Sequence, residues 1–163
     1  MFPQQLIQSE NVLCNAHARS KKHCLEILSE LLVRSSPHVA SEEIFSGLIE
    51  RERLGCTSLD KGVAFPHCRV AGVTRSTGAL IKLSEPVDFD SSDGQLVDLI
   101  FGLMLPVELT KDHYAEIGFI TELMNDETLR KALRKANSSR ELYDALSAAF
   151  TPRVTESRRA RNA

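Results

Sequence analysis

Residues 96–105 read LVDLIFGLML. After Asp98 the run is apolar at odd and even positions alike, so a strand here has no face left for water. Such a strand needs a layer packed on each side, and helices are the natural cover. Working outward, residues 78–83 (GALIKL) alternate around apolar positions and predict a second strand. Residues 88–94 (DFDSSDG) form the turn-rich connector between the two. Residues 57–67 (TSLDKGVAFPH) read as a loop and then a short apolar strand, which Pro66 ends or places at an edge.

The flanks are helical. Ser20 is the expected N-cap of KKHCLEILSELLV, in which Cys24, Leu25, Leu28, Leu31 and Leu32 keep helical spacing. A second helix is expected from Ser41 to Arg53, with Glu42 and Glu43 where the helix dipole favours acids. Three more follow, over Lys111–Met124, Glu127–Lys135 and Ser139–Ala149, the last introduced by a capping-box match from Ser138 to Glu141. Strands in the first and middle parts with helices on both flanks predict an α/β sandwich.

At 163 residues the chain is long enough for one domain with a substantial core, and 42% hydrophobic with 26% charged residues is ordinary for a globular protein. The net charge of −2 argues against a nucleic-acid or membrane field. Residues 151–163 hold four Arg and one Glu and are expected to form a flexible basic tail. No run reaches the roughly 18 apolar residues of a membrane span. The N-terminus MFPQQLIQSEN lacks the parts of a secretory signal, so a cytoplasmic protein is expected. Cys14, Cys24, Cys56 and Cys68 form no CxxC pair and read as reduced thiols.

His67 follows both a strand and a proline that restricts the loop bearing it. It suits a nucleophile or base, and equally an exposed loop histidine. His113 heads a stripe completed by Ile117, Ile120 and Met124. One reading is a core histidine bonded to a backbone carbonyl; the other faces it into the cleft of His67, where a helix N-terminus suits an anion. Arg51 and Arg53 flank Glu52 at a helix end, as dipole partners or as a clamp for a phosphoryl group. Thr57 is a plain loop residue or a hydroxyl donor to that anion. Cys56, His67, Cys68 and His113 could in principle supply metal ligands, but Cys56 and Cys68 lack the short pair spacing of zinc sites and the adjacent His67 and Cys68 tend to point apart. DFDSSDG begins like a calcium loop but lacks its Gly and closing Glu, and no nucleotide or hydrolase motif is present.

Residues 51–69, RERLGCTSLDKGVAFPHCR, resemble the active-site stretch of the fructose/mannitol-type (type 2) enzyme IIA domains of the bacterial phosphotransferase system. SKKHCLEILSELL is similar to that family's first helix, and KDHY (111–114) fits the place of its second active-site histidine. IKLSEPVDFDSSDGQLVDLIFGLMLP and RKANSSRELYDAL resemble the nitrogen-related branch. The resemblance implies a type-2 domain over residues 1–150, with a mixed sheet of about four to five strands flanked by helices on both sides. It implies phosphorylation of His67 on Nε2 by a histidine-containing phosphocarrier protein (HPr or NPr type), with no cofactor and no metal. His113 and Arg51 would support the transfer, and Thr57, Gly62, Pro66 and Arg69 would form the surrounding loop.

The implied role is a phosphocarrier whose phosphorylation state selects regulatory targets, such as potassium-transport or kinase proteins, rather than a conventional turnover enzyme. A sugar-specific enzyme IIA passing phosphoryl to an enzyme IIB, and a binding module that no longer accepts phosphate, are the alternatives. The last is kept by Asp60, which stands where the family has Gly and brings a negative charge to the loop.

Overall fold

The computed structural model describes the backbone of residues 3–162 and the side chains of residues 5–150. A short helix α1 (Pro3–Leu6) and a 3₁₀ turn lead into strand β1 (Val12–Ala16) and then helices α2 (Lys21–Val33) and α3 (Ser41–Leu54). Strands β2 (Ser58–Asp60), β3 (Val63–Ala64), β4 (His67–Arg69), β5 (Thr77–Val87) and β6 (Val97–Leu105) follow. Helices α4 (Lys111–Met124), α5 (Glu127–Lys135) and α6 (Ser139–Asn162) complete the chain. Among the described residues no helix is long and apolar enough to cross a membrane.

The sheet is mixed, in the order β1-β5-β6-β3-β2, with β4 also on β6. β1 runs parallel to β5, β5 and β6 are antiparallel, and β3 and β4 both run parallel to β6. Val63 pairs with Leu99 and His67 with Leu103. The offset is the same on both sides of Pro66, so β3 and β4 form one row of the sheet with a gap. Six strands therefore fill five positions.

β6 has the two-faced burial that its composition demands. Leu99, Phe101, Leu103 and Leu105 join a core with Ile120, Leu123, Leu133, Leu142 and Leu146 from α4, α5 and α6. Ile100 and Met104 face the other way, into a core with Leu25, Leu28, Leu32, Ile44 and Leu48 from α2 and α3. Gly102 lies on that second face, and a Cβ there would collide with the Leu28 side chain. α2 thus rests directly on the sheet backbone. Ser20 caps α2 by accepting the His23 amide proton at 3.1 Å.

Sequence-based boundaries change in several places, and Ser58–Asp60, expected as loop, forms strand β2. β1 was not foreseen: it has five residues, and Asn15 within it takes φ 58°. β5 extends beyond 78–83 at both ends. Pro66 falls in the break between β3 and β4: its carbonyl still accepts the Leu103 amide at 3.0 Å, and the row resumes at His67, where, among the described residues, β4 pairs with β6 alone. α6 continues to Asn162 rather than Ala149. The expected basic tail at 151–163 lies outside the described side chains.

Candidate functional site

The gap between β3 and β4 brings Phe65 and His67 together. Phe65 is buried, and its ring lies 4.9 Å from the half-buried ring of His67, centroid to centroid. His67 Nδ1 lies 2.9 Å from the Phe65 carbonyl. A carbonyl only accepts, so Nδ1 carries the proton and Nε2 keeps its lone pair. Burial lowers the pKa of His67 from its ordinary value; the hydrogen bond to Phe65 opposes this, the charge of Arg51 adds to it, and Glu52 opposes it. The ring is therefore neutral at pH 7, a nucleophile with one nitrogen free.

Arg51, in the last turn of α3, donates from Nη1 to the Gly55 carbonyl at 2.9 Å. It ties down the start of the loop that returns to His67. Glu52 does more, and sequence reasoning missed it. Its carboxylate, only 7% exposed, accepts the Thr57 amide at 2.9 Å and the Thr57 hydroxyl at 2.7 Å, and pairs with Lys21 at 3.2 Å. The Thr57 carbonyl in turn accepts the Phe65 amide at 2.9 Å. Thr57 is thus a buried loop anchor, with its hydroxyl committed to Glu52 rather than to an incoming anion. The available signal was an acid set between two arginines, which read only as a helix-end pattern.

Asp60, Lys61 and Gly62 take φ values of 67°, 56° and 80° in succession. Gly62 is required at its place, since a Cβ would lie 2.6 Å from Arg134 Nη2 and 3.1 Å from Asp98 Oδ1. Arg134 holds the turn by donating to the Lys61 carbonyl at 2.7 Å while its fork grips Asp98. The carboxylate of Asp60 is engaged by the loop at 91–93. The Ser92 hydroxyl lies 2.8 Å from both of its oxygens, and the Asp93 amide donates to it at 3.3 Å. Asp93 reciprocates by accepting the Lys61 amide at 2.7 Å, and this bond with that from Gln95 lowers its pKa. The DFDSSDG connector is therefore the mate of the 58–62 turn, and it draws the charge of Asp60 to itself.

The other expected members are more loosely associated. His113 caps α4: its Nδ1 accepts the Thr110 amide at 2.9 Å, which leaves the proton of the neutral ring on Nε2 as a donor. Among the described residues no hydrogen bond or ring contact joins it to His67. Arg69 Nη1 donates to the Val107 carbonyl at 3.3 Å, beside the end of β6. The four side chains offered as metal ligands go separate ways: Cys56 Sγ contacts the Phe89 carbonyl, and Cys68 is buried against Ile44. Burial pushes the Cys68 thiol up to about 12. Leu54, Val107 and Tyr114 are exposed apolar residues next in sequence to the segments carrying Arg51, β6 and His113. A separate cleft of about 570 Å³, lined by Arg34, His38 and Arg75 among others, contains none of these residues.

Comparison with known proteins shows the family and the fold. The family described as "Phosphoenolpyruvate-dependent sugar phosphotransferase system, EIIA 2" matches residues 5–149. A nitrogen regulatory protein of Pseudomonas aeruginosa is 36% identical over 140 residues, covering 86% of this chain and 91% of that one. The crystal structure of nitrogen regulatory protein IIA-Ntr from Neisseria meningitidis superposes with a TM-score of 0.81 at 34% identity, covering 87% of this chain and 97% of the other. The Escherichia coli complex of enzyme IIA-mannitol with phosphorylated enzyme IIB-mannitol shares the fold, with a TM-score of 0.72 at 22% identity over 88% of this chain and 99% of that one.

Proposed function

We propose, for a chain that belongs to the type-2 EIIA family of the phosphoenolpyruvate-dependent phosphotransferase system, that His67 accepts a phosphoryl group from a phosphohistidine donor. Its phosphorylation state then governs which proteins the chain binds in the cytoplasm. The observation that carries this reading is the 2.9 Å bond from His67 Nδ1 to the Phe65 carbonyl, which leaves Nε2 free on a neutral ring at the gap in the sheet.

The transfer follows from that tautomer. The Nε2 lone pair attacks phosphorus as the P–N bond to the donor ring breaks, and that electron pair returns to the donor nitrogen. The donor leaves as neutral imidazole. His67 keeps its Nδ1 proton and becomes the phosphoimidazolium, so no proton has to move. Arg51 commits Nη1 to Gly55, and its remaining N–H groups offset charge on the phosphoryl oxygens. His113 offers its Nε2 proton to the same oxygens. Leu54, Val107 and Tyr114 supply apolar contact for a small donor protein. The phosphoryl group brings about two negative charges, offset in part by the positive charge on the ring, and this changes what the surface attracts.

The test is incubation with phosphoenolpyruvate, enzyme I and a histidine phosphocarrier, followed by analysis for an acid-labile adduct. The adduct should form on the native protein and be lost in His67→Ala. Its absence on the native protein would refute the reading, and its survival in His67→Ala would place the acceptor elsewhere. Onward transfer to an added enzyme IIB would instead favour the sugar-transport role.

A further inference from the structure

We propose that Glu52 is the positioning residue of the phosphoryl acceptor, acting through Thr57 and Phe65 to hold His67 in the tautomer with a free Nε2. This rests on His67 being the acceptor. The connection is continuous. The Glu52 carboxylate accepts the Thr57 amide at 2.9 Å, the Thr57 carbonyl accepts the Phe65 amide at 2.9 Å, and the Phe65 carbonyl accepts His67 Nδ1–H at 2.9 Å.

Pro66 makes this chain of bonds necessary. Having no N–H, it cannot tie the Phe65–Pro66 peptide to a neighbouring strand through its nitrogen. The bonds that fix this gap are Leu103 N–H to the Pro66 carbonyl on one side and Phe65 N–H to Thr57 on the other. The Phe65 carbonyl is thus left over for His67, and its direction depends on where Thr57 sits. Thr57 is held by Glu52 through three contacts: its amide bonds Oε1, and its hydroxyl lies 2.7 Å from Oε1 and 2.9 Å from Oε2.

The charge arrangement fits the same role. A carboxylate with a side chain 7% exposed is costly to bury alone, and beside a phosphorylated histidine it would be repulsive. Lys21, from α2, pairs with it at 3.2 Å and is itself 23% exposed. The anchor is neutralised as a pair, and Arg51 keeps its positive charge for the phosphoryl group. Glu52 contacts no reacting atom; its bonds go to the loop and to Lys21.

The measurement compares wild type, Glu52→Ala, Glu52→Gln and Thr57→Val, each labelled with ¹⁵N-histidine. Long-range ¹H–¹⁵N spectra at pH 8 report the His67 tautomer without any donor, and the rate of phosphoryl acceptance is read separately. Wild type should show the Nδ1–H tautomer. Folded Glu52→Ala should show a mixture of tautomers and accept phosphoryl about 10- to 100-fold more slowly, the loss expected of a misplaced reacting group. Glu52→Gln, whose amide oxygen can still accept from Thr57, should recover part of both. A folded Glu52→Ala with the wild-type tautomer and rate would overturn the proposal. Thr57→Val keeps the amide bond to Glu52 and should lose less than Glu52→Ala. Should Glu52→Ala not fold, Glu52→Gln decides, since one acceptor oxygen in place of two cannot keep all three Thr57 contacts: a wild-type tautomer and rate there would overturn it. Wild-type protein that accepts no phosphoryl group would instead refute the phosphocarrier reading, and the tautomer spectra would still judge Glu52.

Discussion

Gly62→Ala should damage fold and site together, by an amount that can be worked out. Gly62 has φ 80°, and a left-handed backbone costs an L-residue about 1–2 kcal/mol. The new Cβ would fall 2.6 Å from Arg134 Nη2 and 3.1 Å from Asp98 Oδ1. Arg134 is the end of a flexible side chain and can swing away, but doing so gives up its bonds to the Lys61 carbonyl and to Asp98. Those side chains are 34% and 27% exposed, so the pair is counted near surface value, about 0.5–1 kcal/mol. The total is about 1.5–3 kcal/mol, which for a chain of this length lowers Tm by about 3–12 °C. Urea titration and a thermal melt measure it. The turn at 60–62 also leads into β3, so phosphoryl acceptance by His67 should slow in the folded variant. A Gly62→Ala protein within about 0.5 kcal/mol of wild type would refute the argument, since surface-like changes lie in that range.

Asp60→Gly tests the neighbouring position in the opposite sense. It relieves a left-handed Asp but loses the Ser92 bonds and gains unfolded-state entropy, so stability should stay within about 1 kcal/mol of wild type. The phosphorylation rate should also be little changed, because the carboxylate is engaged by residues 92 and 93. For His67, a pKa below the ordinary value keeps the ring neutral as pH falls through 6.5, so phosphoryl acceptance should hold across that range and fail only further down. The same shift means the unfolded chain takes up a proton first, so this group's contribution to stability is complete above its unfolded pKa and declines as pH falls below it. Removing the Arg51 charge by Arg51→Ala should raise the pKa, which an NMR titration of the ring would show. Native protein at pH 8 should expose one fast-reacting thiol to a disulfide reagent, Cys56, while the buried Cys14, Cys24 and Cys68 react only on unfolding.

Some elements were legible because their signals are local. The apolar run at 97–105 announces burial on both faces, and the spacing from Cys24 to Leu32 announces a helix with Ser20 as its cap. The motif around His67 was legible in the same way, since Arg51, Thr57, Gly62, Pro66 and His67 stand within nineteen positions of one another, counting to Arg69. β1 was not, because five residues interrupted by a left-handed Asn15 give no period, and its partner β5 lies more than sixty positions away. The cap of α4 was not legible either: His113 was read from a helical stripe, and only the structure shows its Nδ1 accepting the Thr110 amide.

Amino-acid order alone determined the layered fold, because hydrophobic periodicity and short-range turn rules act within a few residues of each position; it offered His67 as the candidate acceptor only through the resemblance of residues 51–69 to a known family. Which partner each polar group finds was decided only by tertiary structure. Asp60 looked like an added charge at the site until Ser92 and Asp93 were seen to hold it, thirty-two and thirty-three positions along the chain. Glu52 looked like part of a helix end until Lys21 and Thr57 converged on it. Hydrogen bonds are short and directional, so whether a side chain supports a site depends on what folding brings within about 3 Å of it, and no local pattern encodes that.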